Sequence, residues 1–364
     1  MIDNREEFGA VRGVRRSRPL KIGSVTIGGG NPVAIQSMCN TDTRDVRATL
    51  AQIGALRDAG CEIARLAVPD MDAALALHEI KKQSPLPLVA DIHFDYRLAL
   101  EACRAGMDKI RINPGNIGEK WKIREVADAC SSCGVPIRIG VNSGSVDRDL
   151  REEYGVIPFT LYKSAVRNIE ALTECGFEDI CVSLKASNVF NTVEAYRMLA
   201  SQCDYPLHLG VTEAGSRHMG TIKSAAAFGA LLADGIGDTI RVSLTDDPVQ
   251  EVYAAKDILK ALGMNADGVT IVSCPTCGRT QVDLIPIAHE IEQRVSKLRS
   301  RITVAVMGCA VNGPGEAREA DVGIAGGRGE GLIFRKGEIL RKVPEDRLAD
   351  ELMLEIERLT GEKV

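Results

Sequence analysis

The chain predicts an α/β protein: an N-terminal (β/α)8 TIM-type barrel followed by a smaller α+β domain. Three observations carry this. Eight strand-like runs recur between residues 33 and 245, with helix-like stretches between them. Glycines at 60, 106, 134, 176 and 235 stand just before five of these runs, where a helix C-cap belongs. The chain's 364 residues exceed one ordinary core, which leaves room for a second domain.

Taken in order, the extended runs Ser24–Ile27 and Val33–Met38 flank Gly28-Gly29-Gly30, which predicts a hairpin turn covering the barrel base. No G-x-G-x-x-G follows the first strand, so the triplet does not signal a dinucleotide site. The remaining strands are Glu62–Val68, Pro87–Phe94, Lys109–Asn113, Pro136–Asn142, Asp179–Ser187, Pro206–Glu213 and Thr239–Thr245. Helical segments include Val46–Ala59, Tyr96–Ala105, Ile123–Ser132, Thr160–Cys175, Tyr196–Gln202, Ser224–Ala233 and Val249–Leu262. The barrel is assigned to residues 1–263 and the second domain to 269–364. In the latter, strands Val269–Ser273, Thr303–Met307, Val322–Ala325, Gly331–Arg335 and Ile339–Lys342 accompany helices Ile285–Lys297 and Glu345–Leu359.

Composition narrows the function. A net charge of −5 and 4% aromatics argue against nucleic-acid binding. The longest apolar run that includes glycine, Ala225–Ala233, has nine residues and is too short for a membrane span. Residues 1–21 are charged and predict no signal peptide. Eleven cysteines, several in apolar context, point to free thiols in a reducing compartment, and so to the cytoplasm.

Residues two apart on a strand share a face, and polar residues repeatedly share one near the strand ends. Asp91 goes with His93, Arg111 with Asn113, and Arg138 with Asn142. Ser183, Lys185 and Ser187 follow, then Arg241, Ser243 and Thr245; Arg65 lies in the second strand and Glu213 ends the seventh. Five basic residues on separate barrel strands need an anion to offset their desolvation. A phosphate or diphosphate fits that need. His78, His208, His218 and His289 read as structural histidines.

Two loops of the second domain carry cysteines. Ser273-Cys274-Pro275-Thr276-Cys277-Gly278 and Met307-Gly308-Cys309-Ala310 each leave the end of a strand. Together they supply three thiols, two of them in C-x-x-C spacing, with no fourth cysteine. A [4Fe–4S] cube with one non-thiolate position fits this set, and Glu316 is the nearest well-placed carboxylate. Structural zinc and a redox dithiol are the alternatives. Cys130-Ser131-Ser132-Cys133 repeats the spacing at a helix end, where helical cysteines explain it better.

Cys274-x-x-Cys277, Cys309 and Asn312-Gly313-Pro314-Gly315-Glu316 resemble the 4-hydroxy-3-methylbut-2-enyl diphosphate synthase family. The resemblance extends through Ile35–Met38, Ala90–Phe94, Arg111–Asn116, Gly140–Ser145, Ser183–Ser187 and Gly210–Gly215. It implies reduction of 2-C-methyl-D-erythritol 2,4-cyclodiphosphate to the open allylic alcohol diphosphate, with electrons from flavodoxin or ferredoxin. It also implies a [4Fe–4S] cluster on Cys274, Cys277, Cys309 and Glu316. The implied diphosphate grip is Arg111, Arg138 and Lys185, with Asn142, Arg241, Ser243 and Arg65. Acid–base help falls to Glu213, Asp91 or His93, with Glu213 favoured as proton donor. A homodimer is implied as well.

Overall fold

The structure is a computed structural model that describes residues 15–264, 268–296, 298, 300–309 and 317–364. The chain divides into two compact units after Met264.

The first unit is a TIM-type barrel. Its strands are β3 (Ala34–Met38), β4 (Ile63–Ala67), β5 (Leu88–Asp91), β6 (Lys109–Ile112), β7 (Ile137–Asn142), β8 (Ile180–Lys185), β9 (His208–Leu209) and β10 (Thr239–Ile240). They form one parallel sheet in the order β8-β7-β6-β5-β4-β3-β10-β9. A parallel bridge between Val182 and Leu207 joins the two ends and closes the barrel. Alternation sorts the side chains. Leu66, Ile110, Ile139, Val182 and Leu184 belong to the large apolar cluster shared with the surrounding helices. Helix ends follow their caps: the helix Val46–Ala59 starts at Asp45, which accepts from the Ala48 N–H, and stops at left-handed Gly60.

The hairpin at the barrel base differs from the sequence expectation. It is the antiparallel pair β1 (Leu20–Ile22) and β2 (Val25–Ile27), turned at Gly23 with φ +57°. The glycine triplet instead links β2 to β3, all three residues having positive φ. Leu20, Ile22 and Ile27 pack against Ala34, Ile63, Val89 and Cys181, which lie near the starts of β3, β4, β5 and β8. The N-terminal end of the barrel is therefore plugged. The last two barrel strands are also shorter than their polar alternation suggests. Glu213, Arg241, Ser243 and Thr245 lie beyond β9 and β10, although the Arg241 N–H still donates to the Leu209 carbonyl at 3.0 Å.

The second unit is built on the sheet β11 (Val269–Ser273), β12 (Ile302–Met307), β13 (Val322–Gly326), β14 (Glu330–Arg335) and β15 (Glu338–Pro344). The first three strands are parallel and the last two run antiparallel to their neighbours. Val304 and Val306 join Ile291, Leu352 and Ile356 in one core, supplied by the helices Leu284–Val295 and Leu348–Thr360. Ala305 and Met307, on the other face of β12, pack with Ala317, Ala320 and Phe334. Among the described residues, no helix is long and apolar enough to cross a membrane.

Candidate active site

Above the hairpin plug the barrel interior turns from apolar to cationic. Lys109, Arg138, Arg65, Arg111 and Lys185 are all buried, and Arg241 is nearly so. Two carboxylates answer six cations. Asp91 accepts from Arg111 Nη1 at 3.0 Å and stands 3.7 Å from Arg65 Nε. Glu251, on the helix after β10, takes Arg241 through both oxygens at 2.9 and 3.1 Å. It also accepts from Ser37 Oγ and the Leu244 N–H. Arg241 Nη1 donates to Ser243 Oγ at 2.6 Å.

The remaining cations are left with neutral partners among the described residues. Arg138 Nη1 donates to Ser183 Oγ at 2.6 Å, while its Nε and Nη2 are buried with no partner. Lys109 Nζ donates to Gln36 Oε1 at 3.3 Å. Among the described residues, no carboxylate forms an ion pair with Lys185. The cost shows in their acidities. Burial, with Arg138 and Arg65 nearby, pushes the Lys109 ammonium down to about 8. Burial and the surrounding arginines hold Lys185 well below the ordinary lysine range. Burial opposes ionisation of Asp91, yet Arg65, His93, Arg111 and Arg138 outweigh it and keep that carboxyl far below its usual range. Asp91 is thus held as an anion between Arg111 and Arg65.

Glycines make room for these cations. A Cβ on Gly140 would stand 2.4 Å from Arg111 Nε, and one on Gly210 would stand 2.5 Å from Lys185 Nζ. We expect Gly140→Ala and Gly210→Ala to stay folded, since the obstructed groups end flexible side chains. Each should weaken binding of inorganic pyrophosphate by about tenfold or more, about 1.4 kcal/mol. Titration calorimetry checks this; unchanged affinity would mean that these cations do not grip the anion.

The other expected residues divide. Asn142 ends β7 and is half-buried. His93 is exposed at the mouth, with Nε2 3.6 Å from Asp91 Oδ2. Glu213 is exposed on the loop after β9. Its φ of +53° is a strained conformation for a residue with a Cβ. Sequence reasoning missed Lys109, Gln36 and Glu251. Parity with Arg111 exposes Lys109 as inward-facing; Glu251 sits on a helix and gives no such signal. His208, expected to be structural, is buried with Nδ1 2.8 Å from Thr239 Oγ1. Burial and the Lys185 and Arg138 charges keep its ring neutral, well below the usual histidine range.

In the second unit, Cys274 directly follows β11 and Cys309 lies two residues past β12, its parallel neighbour. The Gly308 N–H donates to Cys274 Sγ at 3.1 Å, and the Gly308 carbonyl accepts from the Gln281 N–H at 2.9 Å. A Cβ on Gly308 would come within 2.9 Å of Thr280 Cγ2, so glycine lets the two loops meet. Cys277 is exposed, and hydrogen bonds from the backbone and side chain of Arg279 lower its thiol. Cys309 is buried. Glu316 lies outside the described residues, as do residues 312–315. Among the described residues, no three histidine, cysteine or acidic side chains are grouped closely enough to hold a metal ion. The donor type suits an iron–sulfur cluster: Cys274 and Cys309 leave the ends of neighbouring strands, and Cys274 Sγ accepts an amide N–H.

Comparison with known proteins agrees with both units. Residues 17–256 match the family described as GcpE TIM-barrel domain, and residues 270–358 match the GcpE protein C-terminal domain. A relative from Geobacter sulfurreducens named 4-hydroxy-3-methylbut-2-en-1-yl diphosphate synthase (flavodoxin) is 58% identical over 349 residues, covering 96% of this chain and 99% of the relative. Relatives of the same name from Bacillus mycoides and Halalkalibacterium halodurans are each 55% identical over 348 residues, covering 95% of both chains in each comparison. With both units matched and identity sustained along nearly the whole length, the chain belongs to the GcpE family of 4-hydroxy-3-methylbut-2-en-1-yl diphosphate synthases.

Proposed function

We propose that this chain reduces 2-C-methyl-D-erythritol 2,4-cyclodiphosphate to (E)-4-hydroxy-3-methylbut-2-enyl diphosphate. The reaction opens the ring, consumes two electrons and two protons, and releases one water. The observation that carries this reading is the surplus of buried cations inside a barrel plugged at one end. Only a compact polyanion offsets so much desolvated positive charge.

Arg111, Arg138, Lys185 and Arg65 bind the phosphates, with Asn142, Arg241 and Ser243 as further donors at the rim. Asp91 and Glu251 do not touch the anion; they hold Arg111 and Arg241 in position. Glu213 supplies the proton for the departing oxygen. Its strained backbone and its place beyond β9 support that role. His93, beside Asp91, is a second proton carrier at the mouth. Cys274, Cys277 and Cys309 hold a [4Fe–4S] cluster, with Glu316 as the fourth ligand. When bound, the cluster supplies single electrons and a Lewis-acidic iron. The named relatives point to flavodoxin as the donor, with ferredoxin as the alternative. The enzyme works in the cytoplasm as a homodimer, which sedimentation equilibrium checks.

Anaerobic reconstitution with iron and sulfide counts, followed by turnover of the cyclodiphosphate with reduced flavodoxin, tests the assignment. A colourless protein with stoichiometric zinc and no turnover overturns it.

Proton linkage gives an independent check. Lys109 titrates at about 8 in the free protein, and Lys185 is also depressed. A bound anion favours the charged lysines, so near pH 8 binding takes up protons and weakens as pH rises. In the free protein these lysines act the other way on stability. For Lys109 the folded state binds fewer protons than the unfolded chain between about 8 and the ordinary lysine value of 10.5, so its burial penalty fades as pH rises through that window. Calorimetry in buffers of different ionisation enthalpy reads the uptake directly; zero uptake near pH 8 contradicts a bound anion beside Lys109 and Lys185.

A further inference from the structure

We propose that Cys103, Cys130 and Cys133 form a thiol–disulfide exchange site on the outside of the barrel, one that reacts with low-molecular-weight disulfides. Cys103 lies at the end of the helix Tyr96–Arg104, and Cys130 and Cys133 lie one turn apart at the end of the neighbouring helix Lys120–Cys133. Cys103 and Cys130 are buried with their sulfurs 3.5 Å apart. A disulfide needs about 2.0 Å, a gap that side-chain rotation closes without moving either helix far. Cys133 is exposed. One thiol therefore faces solvent and two wait behind it.

The electrostatics favour Cys103 as the shared partner. Hydrogen bonding from Cys130, and less so from Cys133, lowers its thiol against the effect of burial, while that same hydrogen bond with Cys103, burial and the Cys103 charge push Cys130 well above its ordinary value. Cys133 offers exposure, not acidity, because its partial burial raises its thiol. Other buried cysteines lack this arrangement. Cys61 bonds to the Ile35 and Ile63 carbonyls, and Cys39 is pushed up to about 12 by burial.

The exchange runs in balanced steps. The Cys133 thiolate attacks the S–S bond of the small disulfide, forming a mixed disulfide and releasing one small thiol. The Cys103 thiolate then attacks the Cys133 sulfur, forming a Cys103–Cys133 bond and releasing the second small thiol. Cys130 next attacks the Cys103 sulfur, leaving a buried Cys103–Cys130 disulfide and returning Cys133 as a thiol. Two protein thiols lose two electrons and two protons, and the small disulfide is reduced to two thiols.

The test uses the holoenzyme under anaerobic conditions with oxidised glutathione, followed by alkylation and trypsin. Cys103 falls on the peptide Leu98–Arg104, while Cys130 and Cys133 share Glu125–Arg138. The expected product is these two peptides joined by a disulfide. Cys133→Ser, at an exposed position, should slow its formation by about tenfold or more. Cys103→Ser should stop the reaction at a glutathione adduct on Cys133. A wild-type protein that accumulates that adduct with Cys103 and Cys130 still alkylatable overturns the proposal. So does an unchanged rate in Cys133→Ser.

Discussion

Arg111→Met is expected to weaken substrate binding by about 2–5 kcal/mol, the cost of removing one partner from a desolvated charge pair. Iron and sulfide content should stay at the wild-type level. Arg111 sits between Asp91 Oδ1 at 3.0 Å and the Gly140 carbonyl at 3.2 Å, with its buried Nε left without a partner. Methionine keeps much of the side-chain volume but removes every donor. Two losses then compound: the anion loses a cation, and Asp91 is left with the more distant Arg65, His93 and Arg138 to offset its charge. Arg111→Lys should fall between the two, because it retains charge without the planar fork. Steady-state kinetics decide the matter, and near-normal KM and kcat in Arg111→Met reject the assignment.

Cys274→Ser should abolish turnover by a different route. Serine is a harder ligand that binds iron poorly, and the substitution also removes the sulfur that accepts the Gly308 N–H. Iron per chain should fall and the absorbance near 400 nm should fade. Pyrophosphate affinity of the barrel should stay within about twofold of wild type. Glu316→Cys is expected to do the opposite, keeping iron content high while suppressing turnover, since a thiolate is harder to displace than a carboxylate. Full iron content in Cys274→Ser removes that residue from the ligand set.

Much of this was legible in residue order because period-two alternation and glycine stops are local signals. All five glycines that precede strands have positive φ, and the helix Val46–Ala59 has the bounds that the sequence suggested. Alternation fails where a strand is cut short. Polar residues continue past Leu209 and Ile240, so the pattern extends while the ladder does not. The hairpin escaped because Leu20–Ile22 is only three residues long and the glycine triplet nearby imitates a turn. At the site, five cations could be read from strand parity. Glu251 could not, because its link to Arg241 exists only once the helix after β10 has packed. Cysteine spacing marked the second unit's loops. The Gly308 contact that joins them depends on β11 and β12 lying side by side.

The hairpin plug has a kinetic meaning. A barrel sealed by Leu20, Ile22 and Ile27 has one doorway, so nothing passes through it from end to end. The arriving molecule and the departing one must take turns at the same threshold. If the proposed substrate and product, each with two phosphates, bind the same cations, the spent molecule holds the seat that the next one needs. On that assignment, the features that strengthen the grip also slow the release.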